Sequence, residues 1–143
     1  MNVLGAVKII QALETRLKVG NASVVLFSTV AVAQGMPFHA SVAASKAAVE
    51  GLCRSLAAEY APRIRFNCIA PSLTDTPLAE KLLNTDAKRE ASDLRHPSKS
   101  IGKAEDVAAM VAFLVSDKCR FHNRSNHRYG WRNEHRSHLI FVF

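Results

Sequence analysis

The sequence predicts an α/β fold built on a parallel sheet, and three observations carry that reading. Val24-Val25-Leu26-Phe27 is a short, β-branched apolar run that closes on two hydroxyls, Ser28 and Thr29, as expected of a strand buried on both faces. A stretch rich in small residues, from Ser41 to Tyr60, reads as a helix. After Pro62 comes a second apolar run, Ile64 to Ala70, ended by Pro71. Strand, loop, helix and strand make a βαβ unit, whose crossover is expected to be right-handed.

The other elements follow in order. Between Asn2 and Leu17, Val3, Leu4, Val7, Ile9, Ile10, Leu13 and Leu17 recur at helical spacing with a broad apolar face. Lys18, Gly20 and Asn21 supply a helix stop and a turn. Gly35, Met36 and Pro37 mark the loop after the first strand, and His39 in that loop reads as solvated or helix-capping. Ala43, Ala44, Ala47, Ala48 and Gly51 give the next helix a small-residue face. That face suits either the chain's own sheet or a close helix partner. Pro77 fits the first position of a short helix reaching about Leu83. Residues 84–100 are polar and charged, and a solvated loop is favoured there over a mobile flap above a substrate. Lys103 to Val115 is amphipathic, with Val107, Met110, Val111 and Leu114 on one side.

A chain of 143 residues fits one domain and can bury a core. No apolar run approaches bilayer-spanning length, and no basic-then-apolar leader opens the sequence. The formal charge of +7 suggests a nucleic-acid partner, but its distribution argues against one. Residues 1–118 hold 14 Lys+Arg against 11 Asp+Glu, whereas residues 119–143 hold five Arg and one Glu. Cys53, Cys68 and Cys119 have neither CxxC nor metal-ligand spacing, so no metal site is expected. Buried free thiols in a reducing cytoplasm are the simpler reading.

The paired hydroxyls after a strand, Ala44-Ser45-Lys46-Ala47, and Arg65-Phe-Asn-Cys-Ile-Ala-Pro71 leading to Thr76 resemble the C-terminal half of a short-chain dehydrogenase/reductase. The resemblance covers about Asn2 to Ser116. It implies an incomplete Rossmann-like, doubly wound parallel sheet, without the N-terminal βα units and with the closing strand lost. It also implies an oxidoreductase moving hydride between NAD or NADP and a small carbonyl or alcohol substrate. In such enzymes a Tyr hydroxyl donates the proton, and a Lys four residues later lowers that hydroxyl's pKa and holds the nicotinamide ribose. A Ser orients the substrate oxygen, and an Asn supports a water relay.

Carried onto this chain, the catalytic set is Asn2, Thr29 and Lys46, with Ser28 adjacent to Thr29. Val42 occupies the Tyr position and can neither donate nor accept a proton, which marks an atypical branch. Tyr60 lies too far along the helix to replace it. Lys46, Pro71, Ser72 and Thr76 are the expected cofactor contacts. Ser72 stands where Gly is usual after that Pro and is expected to crowd the cofactor slightly. None of Gly5, Gly20, Gly35, Gly51, Gly102 and Gly130 forms GxxxGxG or GxGxxG, the turn that brings backbone N–H groups to a pyrophosphate. NAD and NADP are therefore not distinguished. The resemblance further implies a homo-oligomer through the helices at 3–17 and 41–60. The expected function is thus an impaired or inactive NAD(P)-dependent oxidoreductase. The alternative is a non-catalytic fragment acting through subunit association.

From Cys119 the pattern collapses, with no alternation or helical period until the last five residues. The resemblance calls for a closing strand of the type ITGQIIGMDGG at this point. His122 to His135 can be encoded by codons that, read one base later, give ITGQIIGMDGGMS. Residues 119–143 are accordingly read as an aberrant, frameshifted and poorly ordered tail. The competing reading is a basic nucleic-acid arm; it is disfavoured because its Arg residues are scattered among His and Asn.

Overall fold

The computed structural model describes residues 2–20, 22–123 and 126–129, with Asn2 and residues 126–129 described by backbone alone. Helix α1 (Asn2–Val19) leads into strand β1 (Ser23–Phe27). A four-residue helix α2 (Ala31–Gln34) precedes α3 (Ala40–Tyr60), and strand β2 follows (Arg65–Pro71). Each of these elements except α2 lies within two residues of its expected position. Short β-branched runs next to a small-residue helix sort themselves clearly.

β1 and β2 pair in parallel, from Ser23 opposite Arg65 to Phe27 opposite Ile69. Their side chains alternate between two helical layers. Phe66 and Cys68 of β2 join Ile10 of α1 and Val49, Cys53 and Ala57 of α3 in one buried cluster, with Val24 and Leu26 packed against it. Ile69 faces the other way, onto Leu114 and Cys119, with Val25, Val107, Met110 and Val111 around them. The helix beneath that second face is α6 (Ala104–Val115), and the apolar stripe expected for it is the one that packs. Tyr60 is structural. Its hydroxyl donates to Glu14 Oε1 at 2.9 Å, tying α3 to α1, and its ring packs tilted on Phe66 at 5.9 Å.

Residues 72–103 differ most from expectation. Strand β3 (Thr74–Asp75) is followed by a 3₁₀ turn (Pro77–Ala79), α4 (Glu80–Leu83), α5 (Asp86–Arg95) and β4 (Gly102–Lys103). The turn and α4 together form the short helix expected after Pro77. The solvated loop favoured for 84–100 is instead mostly helix α5, capped by Thr85 Oγ1, which accepts from Lys88 N–H at 3.3 Å. α5 lacks an apolar stripe because Ser92 is its only buried residue, so hydrophobic periodicity could not reveal it. β3 and β4 pair in parallel, Thr74 opposite Gly102, and fasten this segment to the end of β2.

The packed body also runs past residue 118. Cys119 is fully buried, and the Arg65 guanidinium donates to the carbonyls of Leu114, Ser116 and Cys119 at 2.9–3.2 Å. It thereby caps the C-terminus of α6. Asn123 accepts from Phe66 N–H at 2.9 Å and donates to Ala57 O at 3.1 Å. Beyond it, within the stretch read as patternless, strand β5 (Asn126–Tyr129) pairs in parallel with β2, Cys68 opposite Asn126 and Pro71 opposite Tyr129. Among the described residues the sheet order is β1-β2-β5, which leaves β1 at an edge. The remainder of the tail lies outside the described residues.

Candidate functional site

The C-terminal ends of parallel strands, where backbone groups run out of partners, are the usual place for a ligand in an open α/β sheet. Here the chain is stitched across that end. Ser28 N–H donates to Ile69 O at 2.7 Å and Val30 N–H to Pro71 O at 3.2 Å, extending the β1–β2 ladder past β1. Thr29 lies between these two bonds. Its Oγ1 accepts from Ala31 N–H at 3.3 Å, an interaction that uses a lone pair and not the hydroxyl proton.

Helix α3 presents Val42, Lys46 and Glu50 at i, i+4 and i+8, along one face. Lys46 Nζ donates to Phe27 O at 2.8 Å, which uses one of its three N–H donors. The helix therefore brings Lys46 to the strand end from which Thr29 follows. Val42, one turn earlier, is 46% exposed and places two methyl groups at the mouth of this site. Ser28 does not share the site with Thr29. It is buried, and its hydroxyl donates to Glu50 Oε1 at 2.6 Å. Alternation along the chain sends neighbouring hydroxyls to opposite sides. The side chain of Asn2 lies outside the described residues.

Three of the expected cofactor contacts, Pro71, Ser72 and Thr76, lie at or just past the end of β2, whereas Lys46 lies at the end of β1. Pro71 closes the strand, and Ser72 Oγ contacts His96 Nε2 at 2.7 Å. Thr76 Oγ1 makes a long contact of 3.4 Å to Thr74 O. Asp75, Thr76, Glu80, Asn84 and Arg89 line an open groove of about 710 Å³ beside it. Asp75 and Arg89 close one wall of the groove with bonds of 2.7 and 3.4 Å, which hold the Asp75 carboxyl below its ordinary range.

A nicotinamide cofactor would find an ammonium, Lys46, and hydroxyls at one end of this arrangement. No described glycine turn suits its pyrophosphate, so the fit covers the nicotinamide end only. Among the described residues no group of His, Cys, Asp and Glu could hold a metal ion. Burial pushes the Cys53 and Cys68 thiols up to about 12, so neither is a nucleophile at neutral pH. His39 Nδ1 lies 2.7 Å from Pro37 O at the surface, as a loop histidine. Two residues beside the site escaped sequence reasoning. Glu50 was signalled only by an acid among the apolar positions of α3, four residues after Lys46. His96 lies 24 residues from its partner Ser72, with no local signal.

Residues 1–128 match a family model described as enoyl-(acyl carrier protein) reductase. The 3-oxoacyl-[acyl-carrier-protein] reductase FabG of Thermotoga maritima is 40% identical over 106 residues, which are 73% of this chain and 42% of that protein. Tropinone reductase-like 3 of Erythroxylum coca is 32% identical over 121 residues, 85% of this chain and 46% of the relative. The chain thus spans less than half the length of these curated relatives. Among solved structures, a short-chain dehydrogenase family protein from Francisella tularensis superposes with a TM-score of 0.81 at 29% identity, covering 90% of this chain and 57% of the other. 4-Hydroxyisoleucine dehydrogenase complexed with NADH gives 0.83 at 25% identity, covering 91% and 55%. No helix among the described residues is long and apolar enough to cross a membrane. Parallel strands flanked by α3 and α6, a lysine at the strand ends and the family match lead to one conclusion: the chain belongs to the short-chain dehydrogenase/reductase family.

Proposed function

We propose that this chain is the C-terminal part of an NAD(P)-dependent oxidoreductase whose proton-transfer step is impaired. Lys46 and Thr76 would hold the nicotinamide end of the cofactor, beside Pro71 and Ser72. The cofactor, when bound, supplies hydride transfer to or from a small carbonyl or alcohol compound. Thr29 would orient the substrate oxygen with its hydroxyl proton, and Asn2 would support it. The observation that carries the proposal is Val42, a half-exposed aliphatic side chain one turn before Lys46 on the same helix face. A positioned acid contributes about 10²–10⁴-fold to rate, and a valine supplies none of it.

Fluorescence titration with NADH and NADPH tests binding by the chain: saturable enhancement would support the oxidoreductase reading, and its absence the non-catalytic fragment. Turnover is then followed with an acetoacetyl thioester and tropinone, classes suggested by the names of the two curated relatives. V42Y is expected to raise the rate over the unmutated chain. Brisk cofactor consumption by the unmutated chain, lost in K46A, would overturn the reading of impairment. The second reading is a module acting through subunit association, supported by the exposed Leu4, Ile9 and Leu13 on α1. A monomer in sedimentation at micromolar concentration would count against it. We also read residues 122–135 as translated out of frame. An intact frame in independent genomic clones would refute this.

A further inference from the structure

Ser72 occupies a position where the family resemblance calls for glycine, so its hydroxyl needs a partner that keeps it clear of a cofactor. The structure supplies that partner from another element. His96 ends α5 and is only 5% exposed. Its Nδ1 lies 2.7 Å from the Ser92 carbonyl, which can only accept, so Nδ1 carries the proton. In the neutral ring Nε2 is then the acceptor, and it meets the Ser72 hydroxyl at 2.7 Å. The next few residues are held from the other side. Leu73 O accepts from Gly102 N–H at 3.0 Å, and Thr74 and Asp75 pair in parallel with Gly102 and Lys103. Gly102 sits so close that a Cβ there would lie 3.3 Å from Thr74 Oγ1. The segment 72–76 is thus clamped between the end of α5 and β4.

We propose that His96 is a positioning residue: by holding the Ser72 hydroxyl toward α5, it sets the conformation of residues 72–76, including Thr76. Its purpose there rests on the cofactor reading given above, while the clamp itself does not. The contact between Nε2 and Oγ holds the side chain of Ser72 in one orientation. A serine is thereby accommodated where an unpartnered hydroxyl would intrude.

The test compares the unmutated chain with S72A, H96A and the double variant by amide hydrogen exchange. Each single variant is expected to speed exchange at 73–76 and 102–104 by about three- to tenfold, the loss of one buried hydrogen bond. The double variant is expected to match the singles, because both remove the same bond. Additive effects would mean that His96 acts by packing alone, and unchanged exchange would mean that there is no clamp; either result overturns the proposal. S72A deletes only a hydroxyl and keeps the test open if H96A unfolds. NADH titration runs in parallel, with weaker binding expected in H96A, whose Ser72 hydroxyl loses its partner, than in S72A, which has no hydroxyl to intrude. Failure of the unmutated chain to bind NADH would remove the cofactor reading, whereas the exchange result decides the clamp.

Discussion

The ends of β1 and β2 lie side by side yet are held by different means. Past β1, Ser28, Val30 and Ala31 are buried, and the Ser28–Glu50 bond is sealed within the protein. Past β2, Leu73 to Thr76 are only partly covered, and the segment is secured by ties from distant residues. One of these, Asp75–Arg89, leaves both side chains 44% exposed. The first end is a wall of the core, whereas the second is a hinged panel fastened at its rim. An arrangement that seats Thr29 and Lys46 on the wall and Ser72 and Thr76 on the panel can vary the second without unfolding the first. The variable chemistry of such a site belongs where burial is least.

The largest expected effect breaks the comparison at its root. F66A removes a fully buried ring from the strand that supports both ends and should cost about 3–5 kcal/mol in urea unfolding. E50A strikes the wall alone. It orphans the buried Ser28 hydroxyl and should cost about 1–3 kcal/mol, while exchange at 73–76 stays as in the unmutated chain. T85A strikes the panel alone by removing the N-cap of α5. About 1 kcal/mol of helix stability is at stake, read as faster exchange in 86–95.

The smallest effect is that of R89A, through an exposed pair that salt screens. Because Arg89 depresses the Asp75 carboxyl below its ordinary 3.8, the pair contributes above that value and loses its contribution as pH falls through the depressed one. Unmutated chain and R89A should therefore converge in thermal midpoint in strong acid or molar salt. A difference that grew on acidification would contradict the assignment.

The wall was legible in the sequence because its signals are local and apolar. Val24–Phe27, the small-residue helix and Ile64–Ala70 each carry a period that burial enforces. Lys46 reached Phe27 O because helix and strand were both placed correctly. The panel was opaque because its helix buries Ser92 and nothing apolar, so only capping chemistry at Thr85-Asp86 and the run of good helix formers from Ala87 could have announced it. The Ser72–His96 and Asp75–Arg89 ties join residues 24 and 14 apart, a separation that no local pattern encodes. β5 was opaque for another reason. Asn-His-Arg-Tyr has no alternation of its own, and the open edge of β2 supplies the template that its side chains do not.

Phe38 stands at the turn between wall and α3 with φ of 63° and is 105% exposed. A bulky residue in that left-handed conformation stores strain, and here the ring touches nothing that would offset it. Chymotrypsin therefore has an aromatic bond presented to it between Thr29 and Lys46. The rate of cleavage after Phe38, told apart by mass from cleavage after the equally exposed Phe121, becomes a clock for whatever next comes to rest over this turn, whether a nucleotide or a second copy of the chain.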